Sequence, residues 1–311
     1  MLDTGSVMKK ISKHRAKRIF LQIPEGLKTR VLEMARGLER EGLEVFISVD
    51  PCYGACDLRD HEARMLGCDL ILHVGHSDYG LKSKIPVIYE EFRMDYDPVP
   101  LLKNFLQDLK PYRKISLVTT VQFLSSLNHA KKFLQERGKK VFIGSSKRGK
   151  PGQVLGCDFS AAKSLDGIVD CFLFMGSGTF HPLGLAMEVK KPVLFLDFEG
   201  SQLLDLKDEK RRMENIQLMQ IEKAKSCKNF GILVSTKPGQ MKVKTAEKAK
   251  KSLSELGKNA WILVADELTP EKLLGLQIDC LVDTACPRLR EDSRLFRKPI
   301  LDPRDIEKLS E

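Results

Sequence analysis

Short hydrophobic runs alternate with longer stretches of helical periodicity along the 311-residue chain. Nearly continuous apolar runs are typical of strands buried on both faces, and their alternation with helices predicts parallel sheets covered by helices. The pattern occurs three times. In each copy a helical stretch ends at a glycine, which suits the left-handed conformation after a helix, and an apolar strand follows. These glycines are Gly42, Gly138 and Gly257.

The spacing of the copies predicts the domain organisation. The fourth strand of each copy follows a proline, and these prolines, Pro86, Pro192 and Pro299, recur after 106 and 107 residues. We therefore predict an α/β fold with three homologous domains, each a small four-stranded parallel sheet flanked by helices. The predicted domains span residues 1–105, 106–211 and 212–311.

Two segments depart from the repeat. Residues 1–17 are basic and lack a signal-peptide apolar stretch, which predicts a flexible or lightly ordered arm. Residues 203–225 are charged with helical periodicity, which predicts a long amphipathic helix that joins the second and third domains.

Composition narrows the class of protein. Hydrophobic residues make up 42% and charged residues 30%, as in an ordinary globular protein, and no apolar run reaches the ~20 residues of a membrane helix. We expect a cytoplasmic protein with no membrane association. The net charge of +10 has two interpretations: the basic residues lie on solvated helix faces, or they attract an anionic binding partner. Aromatic residues are not interleaved with the basic clusters, so a nucleic-acid partner is poorly supported.

The eight cysteines divide by their place relative to the strands. Ligands of open parallel sheets bind beyond the carboxyl ends of strands, so a functional cysteine should follow a strand. Three cysteines begin the third strand of each copy and are expected in the core; they are Cys68, Cys171 and Cys280. Three others follow strands; they are Cys56, Cys157 and Cys286.

Three strand-end thiolates, one from each domain, suit a soft metal site such as an iron–sulfur cluster with one open iron. The residues alone leave two alternatives. Cys52 and Cys56 could form a redox or zinc pair, or the loop thiols could be inert.

Other strand-end residues also have two interpretations. The loop 235–240 and the glycine-rich segment before His181 could bind a carboxylate or phosphate, or could be ordinary turns and caps. His73 and His76 end the third strand of the first copy, where a structural role is expected.

Six motifs follow one another in order over about residues 18–305. The motifs are Pro24-Glu25-Gly26-Leu27, Tyr53-Gly54-Ala55-Cys56-Asp57, Gly156-Cys157, Phe180-His181, Ser235-Thr236-Lys237-Pro238-Gly239-Gln240 and Thr284-Ala285-Cys286-Pro287-Arg288. Together they resemble the archaeal 2-(3-amino-3-carboxypropyl)histidine synthase family of diphthamide biosynthesis.

The resemblance implies a homodimer in which Cys56, Cys157 and Cys286 hold a 4Fe-4S cluster. It also implies S-adenosylmethionine as co-substrate, a still unidentified electron donor, and a radical that transfers the 3-amino-3-carboxypropyl group to a histidine of translation elongation factor 2. No catalytic residue beyond the cluster ligands is expected. Candidate S-adenosylmethionine contacts are His181, Ser235, Thr236, Lys237, Gly239, Gln240 and Arg288, of which Arg288 offers a planar fork for a carboxylate.

Two other functions stay open. The chain could be another three-domain 4Fe-4S enzyme of the quinolinate synthase type, which acts on small dicarboxylate-derived substrates. It could also be a non-catalytic basic α/β module that binds RNA, which predicts no iron and a salt-sensitive affinity.

Overall fold

The computed structural model describes residues 4–291 and 293–310. Its first sheet has four parallel strands in the order β2-β1-β3-β4. The strands are β1 (Arg18–Gln22), β2 (Glu44–Ile47), β3 (Leu70–Val74) and β4 (Val87–Glu90). The associated helices are α1 (Thr4–Ser12), α2 (Val31–Glu39), α3 (Asp60–Met65) and a 3-10 helix at Glu25–Arg30.

The N-terminal segment differs from the flexible or lightly ordered arm expected from its basic composition. Within it, Thr4–Ser12 form α1, in which Val7 and Ile11 are fully buried in the core of the first sheet. Residues four apart lie on one face of a helix, so Val7 and Ile11, with Met8 packed beside them, dock this basic segment on the core.

The second sheet has five strands in the order β6-β5-β7-β8-β9. The strands are β5 (Lys114–Thr119), β6 (Lys140–Phe142), β7 (Cys171–Gly176), β8 (Val193–Asp197) and β9 (Gln202–Asp205). Helices α4 (Val99–Asn104), α5 (Ser126–Gln135), α6 (Ser160–Lys163) and α7 (Phe180–Glu188) accompany it, with a 3-10 helix at Val121–Phe123.

Strand β9 is an addition to the predicted four-stranded plan. It pairs antiparallel with β8, with Leu203 opposite Leu196 and Leu204 opposite Phe195. The helix predicted from residue 203 therefore begins only at Lys207. The two leucines are held by pairing with a neighbouring strand, which a local helical pattern does not reveal.

The third sheet repeats the plan of the first, in the order β11-β10-β12-β13. Its parallel strands are β10 (Asn229–Ser235), β11 (Asn259–Ala265), β12 (Cys280–Asp283) and β13 (Ile300–Leu301). Its helices are α8 (Lys207–Lys225), α9 (Val243–Glu255), α10 (Arg288–Glu291) and α11 (Ser293–Phe296), with 3-10 helices at Pro270–Leu273 and Pro303–Leu309.

The three sheets, mostly parallel and flanked by helices, confirm the predicted fold class. The chain divides into two compact units, one that ends at Leu206 and one that begins at Lys207. The first unit holds the first two sheets and the second unit holds the third. The division into three domains at residues 105 and 211 stays a prediction.

Local features of the repeat agree with the sequence. Gly42, Gly138 and Gly257 follow their helices with φ of 83°, 76° and 69°, in the left-handed region that favours glycine. The three strand-start cysteines, Cys68, Cys171 and Cys280, are buried. Burial raises the pKa of each thiol, that of Cys171 to about 12, so these three are core residues as predicted. Within the described ranges, no helix is both long and apolar enough to cross a bilayer.

Candidate functional site

Cys56 lies in a turn beyond the carboxyl end of β2. The turn is closed by the Asp57 backbone N–H, which donates to the Gly54 carbonyl at 3.0 Å. Gln22, fully buried at the end of β1, holds the following residue because its Nε2 donates to the Asp57 carbonyl at 2.5 Å. Cys56 itself is half-buried. A rigid strand end thus fixes a loop whose thiol reaches solvent.

Cys157 lies in a second loop, beyond the carboxyl end of β5. The loop turns back on itself through paired backbone bonds between Leu155 and Asp158 at 2.9 and 3.2 Å. Gly156 lies so close to the Phe180 ring that an added Cβ would overlap it. Cys157 is exposed, so packing on its neighbour leaves the thiol itself accessible.

Within the first unit, Tyr79 joins these two cysteine loops. It follows β3 of the first sheet, and its hydroxyl lies 3.3 Å from the Cys157 Sγ of the second sheet. The Arg148 guanidinium covers the Tyr79 ring at 4.6 Å from its centroid. Burial raises the pKa of Tyr79, and the hydrogen bond with Cys157 and the charges of Cys157 and Cys56 raise it further. Both thiols therefore lie in the electrostatic neighbourhood of one phenol.

Further contacts support this junction of the first two sheets. Ser77 exchanges hydrogen bonds with the fully buried Gln153 at 3.1 and 3.4 Å. Lys150 pairs with Glu91 at 2.6 Å, and that partner holds the pKa of Glu91 below its usual value despite burial. The segment that leads to Cys157 is thus held to the loop after β3 by polar contacts and to the chain after β4 by an ion pair.

His181 lies in the first turn of α7 and is half-buried. Its ring packs edge-on against Phe180 with centroids 5.0 Å apart. Because Phe180 also packs on Gly156, the start of α7 lies beside the Cys157 loop. The structure thus brings the predicted His181 to the same end of the second sheet as Cys157.

The predicted loop 235–240 lies at the carboxyl end of β10 in the second unit. Ser235 Oγ donates to the Asp266 carbonyl at 2.8 Å and accepts the Lys237 N–H at 3.2 Å. Lys237 is only 4% exposed and Gln240 only 8%. A lysine is seldom buried to this degree without compensating polar or anionic groups. Thr236 and Gly239 complete this compact polar loop.

Cys286 follows β12 and is half-buried. Its loop is fixed at the two residues that precede it. The Thr284 hydroxyl donates to the Leu233 carbonyl at 2.7 Å, and Lys242 Nζ donates to the Ala285 carbonyl at 3.2 Å. Arg288, the candidate carboxylate fork, is exposed at the start of α10.

A buried carboxylate supports the Cys286 loop. Asp283 accepts the Ala285 backbone N–H at 2.8 Å and lies 3.8 Å from the Arg290 guanidinium. Arg290 also pairs with Asp302 at 2.9 Å. Burial raises the pKa of Asp283 to about 6, although the Ala285 hydrogen bond and the charge of Arg290 act in the opposite direction.

Sequence reasoning missed four residues that shape these loops: Tyr79, Lys242, Asp283 and Arg290. Asp283 is the last residue of β12 and lies next to the positions that the strand-end rule selects. Tyr79 and Lys242 act through contacts with residues 78 and 43 positions away, and no local pattern carries that information.

The donor chemistry fits an iron–sulfur cluster. All eight cysteines lie in the described part of the chain and carry thiols rather than disulfides. Thiolates are the ligands of 4Fe-4S clusters, and the thiols of Cys56, Cys157 and Cys286 all lie in strand-end loops with some exposure to solvent. A tyrosine hydroxyl beside Cys157 is the kind of hydrogen-bonding partner that tunes a cluster.

Comparison with known proteins identifies the family. The family model described as "Putative diphthamide synthesis protein" matches residues 23–311. A 2-(3-amino-3-carboxypropyl)histidine synthase of Pyrococcus horikoshii is 38% identical over 98% of this chain and 89% of the relative. The subunit 1 of the same synthase in Homo sapiens is 31% identical over 94% of this chain and 68% of the relative.

A solved structure agrees with these relatives. Dph2 from Pyrococcus horikoshii, in a crystal structure with a 4Fe-4S cluster, matches with a TM-score of 0.94 and 36% identity, over 99% of this chain and 90% of the other. The resemblance noted in the sequence motifs is therefore confirmed. With a family match from residue 23 to residue 311 and synthase relatives along nearly its whole length, the chain is a transferase that belongs to the diphthamide synthesis protein family.

Proposed function

We propose that this chain transfers the 3-amino-3-carboxypropyl group of S-adenosylmethionine to a histidine of translation elongation factor 2, the first step of diphthamide formation. Cys56, Cys157 and Cys286 would hold the 4Fe-4S cluster that the reaction requires. The observation that carries the proposal is the contact of the Tyr79 hydroxyl with Cys157 Sγ at 3.3 Å. Cys56 lies close enough for its charge to raise the pKa of the same tyrosine. The named synthase relatives and the solved cluster-containing neighbour support it.

Cys56, Cys157 and Cys286 would hold the cluster, which would supply one electron for cleavage of the bond from sulfur to the methionine γ-carbon, with methylthioadenosine as the leaving group. The 3-amino-3-carboxypropyl radical would add to imidazole C2, and the adduct would restore its aromatic ring by losing the C2 proton and returning one electron to the oxidised cluster. The residues of the chain have the task of orientation, because only one of the three carbon–sulfur bonds should break. The Tyr79 hydroxyl would hold the Cys157 thiolate in one rotamer. The bonds from Thr284 and Lys242 would fix the backbone on the approach to Cys286.

The amino-acid end of S-adenosylmethionine needs a cationic site for its carboxylate and acceptors for its amine. Lys237 supplies a cation that is shielded from water, where attraction to a carboxylate is strongest. Ser235, Thr236, Gly239 and Gln240 supply short polar groups and backbone around it, and Arg288 and His181 are the remaining candidates. These contacts are part of the proposal.

The net charge of +10 suits docking to an acidic protein substrate. We further propose a cytoplasmic homodimer that receives its electron from an external donor. Steering by surface charge predicts that elongation factor binding slows as salt concentration rises.

The decisive experiment is anaerobic reconstitution with iron and sulfide. Wild-type protein should bind close to four irons per chain, and Cys56→Ala, Cys157→Ala and Cys286→Ala should each lose them. Cys227→Ala is the matched control, because Cys227 is also a half-buried thiol but lies before a strand. If all three variants bound as much iron as the wild-type protein, the cluster assignment would be contradicted.

The transfer step needs its own assay. S-adenosylmethionine labelled in the aminocarboxypropyl group should deliver label to elongation factor 2 and release methylthioadenosine. A protein that holds four irons but never labels the factor would favour the quinolinate synthase alternative. A protein without iron whose RNA affinity falls with salt would favour the RNA-binding module.

A further inference from the structure

A second group of metal-ligating side chains lies in the first unit and contains none of the three proposed cluster ligands. It consists of Cys52, His73 and His76. His73 Nε2 lies 3.0 Å from His76 Nδ1 and 3.9 Å from Cys52 Sγ. The three ligand atoms all lie within 4.8 Å of one another.

Strand β3, the turn that follows it and the loop after β2 each contribute one of these residues. His73 lies in β3 opposite Gln22 of the central strand β1. The chain then turns at Gly75, whose φ of 97° and close approach to Pro24 leave no room for a side chain. The turn brings His76 back over His73. Cys52 comes from the loop after β2, at the same carboxyl end of the sheet.

The spacing fits a tetrahedral ion. Zinc binds imidazole nitrogen at about 2.0–2.1 Å and thiolate sulfur at about 2.3 Å, which places tetrahedral ligand atoms roughly 3.4 Å apart for two nitrogens and roughly 3.6 Å apart for nitrogen and sulfur. The separations of 3.0 and 3.9 Å differ from these by less than half an ångström, and the Cys52 Sγ lies at most 4.8 Å from the His76 ligand nitrogen. Side-chain rotations that move these two atoms about 1 Å closer would complete the tetrahedral spacing.

The surroundings also suit a ligated thiolate. Cys52 is 1% exposed and His73 fully buried, while His76 is half-buried and gives solvent a route to the group. Gln22 Nε2 lies 3.5 Å from Cys52 Sγ as a hydrogen-bond donor. Such donors to a ligand atom orient it and stabilise its charge. The Tyr89 ring packs against His73 with centroids 5.2 Å apart and limits its movement.

We propose that Cys52, His73 and His76 bind one divalent ion of the zinc class, with solvent in the fourth position. Its site would tie the loop that leads to Cys56 to the end of β3, from which the chain continues to Tyr79. The ion would therefore brace two segments that contact the proposed cluster ligands, without being part of the cluster.

The test uses Co²⁺ as a spectroscopic probe and Zn²⁺ as its competitor. The parent protein is the full chain with Cys56→Ser, Cys157→Ser and Cys286→Ser, so that the proposed cluster thiols cannot bind either ion. Under anaerobic conditions it should bind one Co²⁺ per chain, with a sulfur-to-cobalt charge-transfer band and the visible bands of tetrahedral cobalt. One equivalent of Zn²⁺ should remove both.

Added to this parent, Cys52→Ser should abolish the charge-transfer band, and His76→Ala should weaken Co²⁺ affinity at least tenfold. The controls are Cys68→Ser, a buried thiol just before β3, and His61→Ala, an exposed histidine of the same unit; both should bind Co²⁺ as the parent does. If Cys52→Ser fails to fold, the half-buried His76 variant decides the question.

A parent without the charge-transfer band, or a band that survives Cys52→Ser, would overturn the proposal and leave a hydrogen-bonded histidine pair beside a buried thiol. Because the parent lacks the cluster ligands, either result is independent of the iron measurements on wild-type protein.

Discussion

Replacing Asp283 with asparagine should remove a pH dependence from the stability of the second unit. Burial raises the pKa of this carboxyl to about 6 from an ordinary value of 3.8. The folded state therefore holds a proton more tightly than the unfolded state, and its stability falls as the pH rises through this range. The full effect is about 3 kcal/mol, of which about 1.4 kcal/mol falls between pH 5 and pH 8.

Asparagine preserves the shape of the site and can still accept the Ala285 N–H, while Arg290 keeps its bond to Asp302. Relative to wild type, the variant should gain about 1.4 kcal/mol between pH 5 and pH 8, because it no longer ionises in the interior. The single tryptophan of the chain, Trp261, lies in β11 of the same unit. Urea unfolding followed by Trp261 fluorescence therefore reports on this unit.

Asp208→Asn, a change at an exposed position of the same unit, should retain the wild-type dependence on pH. If the difference between wild type and Asp283→Asn were the same at both pH values, Asp283 would be ionised throughout, and the attraction of Arg290 would outweigh burial. A difference of opposite sign would refute the reasoning outright.

Three further substitutions probe single contacts. Gly144→Ala should destabilise the second sheet by about 1–3 kcal/mol in urea unfolding, because its Cβ would overlap the Ala161 carbonyl, a backbone atom that cannot rotate away; unchanged stability would contradict this packing. Gly156→Ala should reduce iron retention without unfolding the chain, since it pushes the Cys157 loop off the Phe180 ring; full iron content would show that the loop adapts. Tyr79→Phe should lower the reduction potential of the reconstituted cluster in a redox titration, because a hydrogen bond to the Cys157 sulfur is lost; an unchanged potential would show that no such bond forms.

Much of the fold follows from local sequence pattern. Apolar strand runs and the three helix-ending glycines each reflect a preference of a few neighbouring residues, and the structure retains them. Strand β9 was missed because Leu203 and Leu204 are held by β8 rather than by their own neighbours. Helix α1 was missed because two apolar residues, Val7 and Ile11, are a weak signal in a basic segment.

The candidate site could likewise be predicted where it depends on neighbouring residues, but not where it depends on distant ones. The strand-end rule selected Cys56, Cys157 and Cys286 as candidates and also admits Cys52, because the position of a loop follows from the strand before it. The partners of those loops did not follow from the sequence. Tyr79 meets Cys157, and Cys52 meets His73, only after different strands have been placed side by side.

The difference in solvent exposure among the cysteines determines which of them oxidants and alkylating reagents modify first. Attack by oxygen-derived oxidants and by alkylating reagents requires an accessible sulfur that can ionise. Cys171 and Cys280 are sealed in the core with raised pKa values, whereas Cys157 is exposed. A brief exposure to air or to iodoacetamide should therefore mark Cys157 long before these core thiols, so that the protein loses its proposed cofactor-binding capacity while its fold survives.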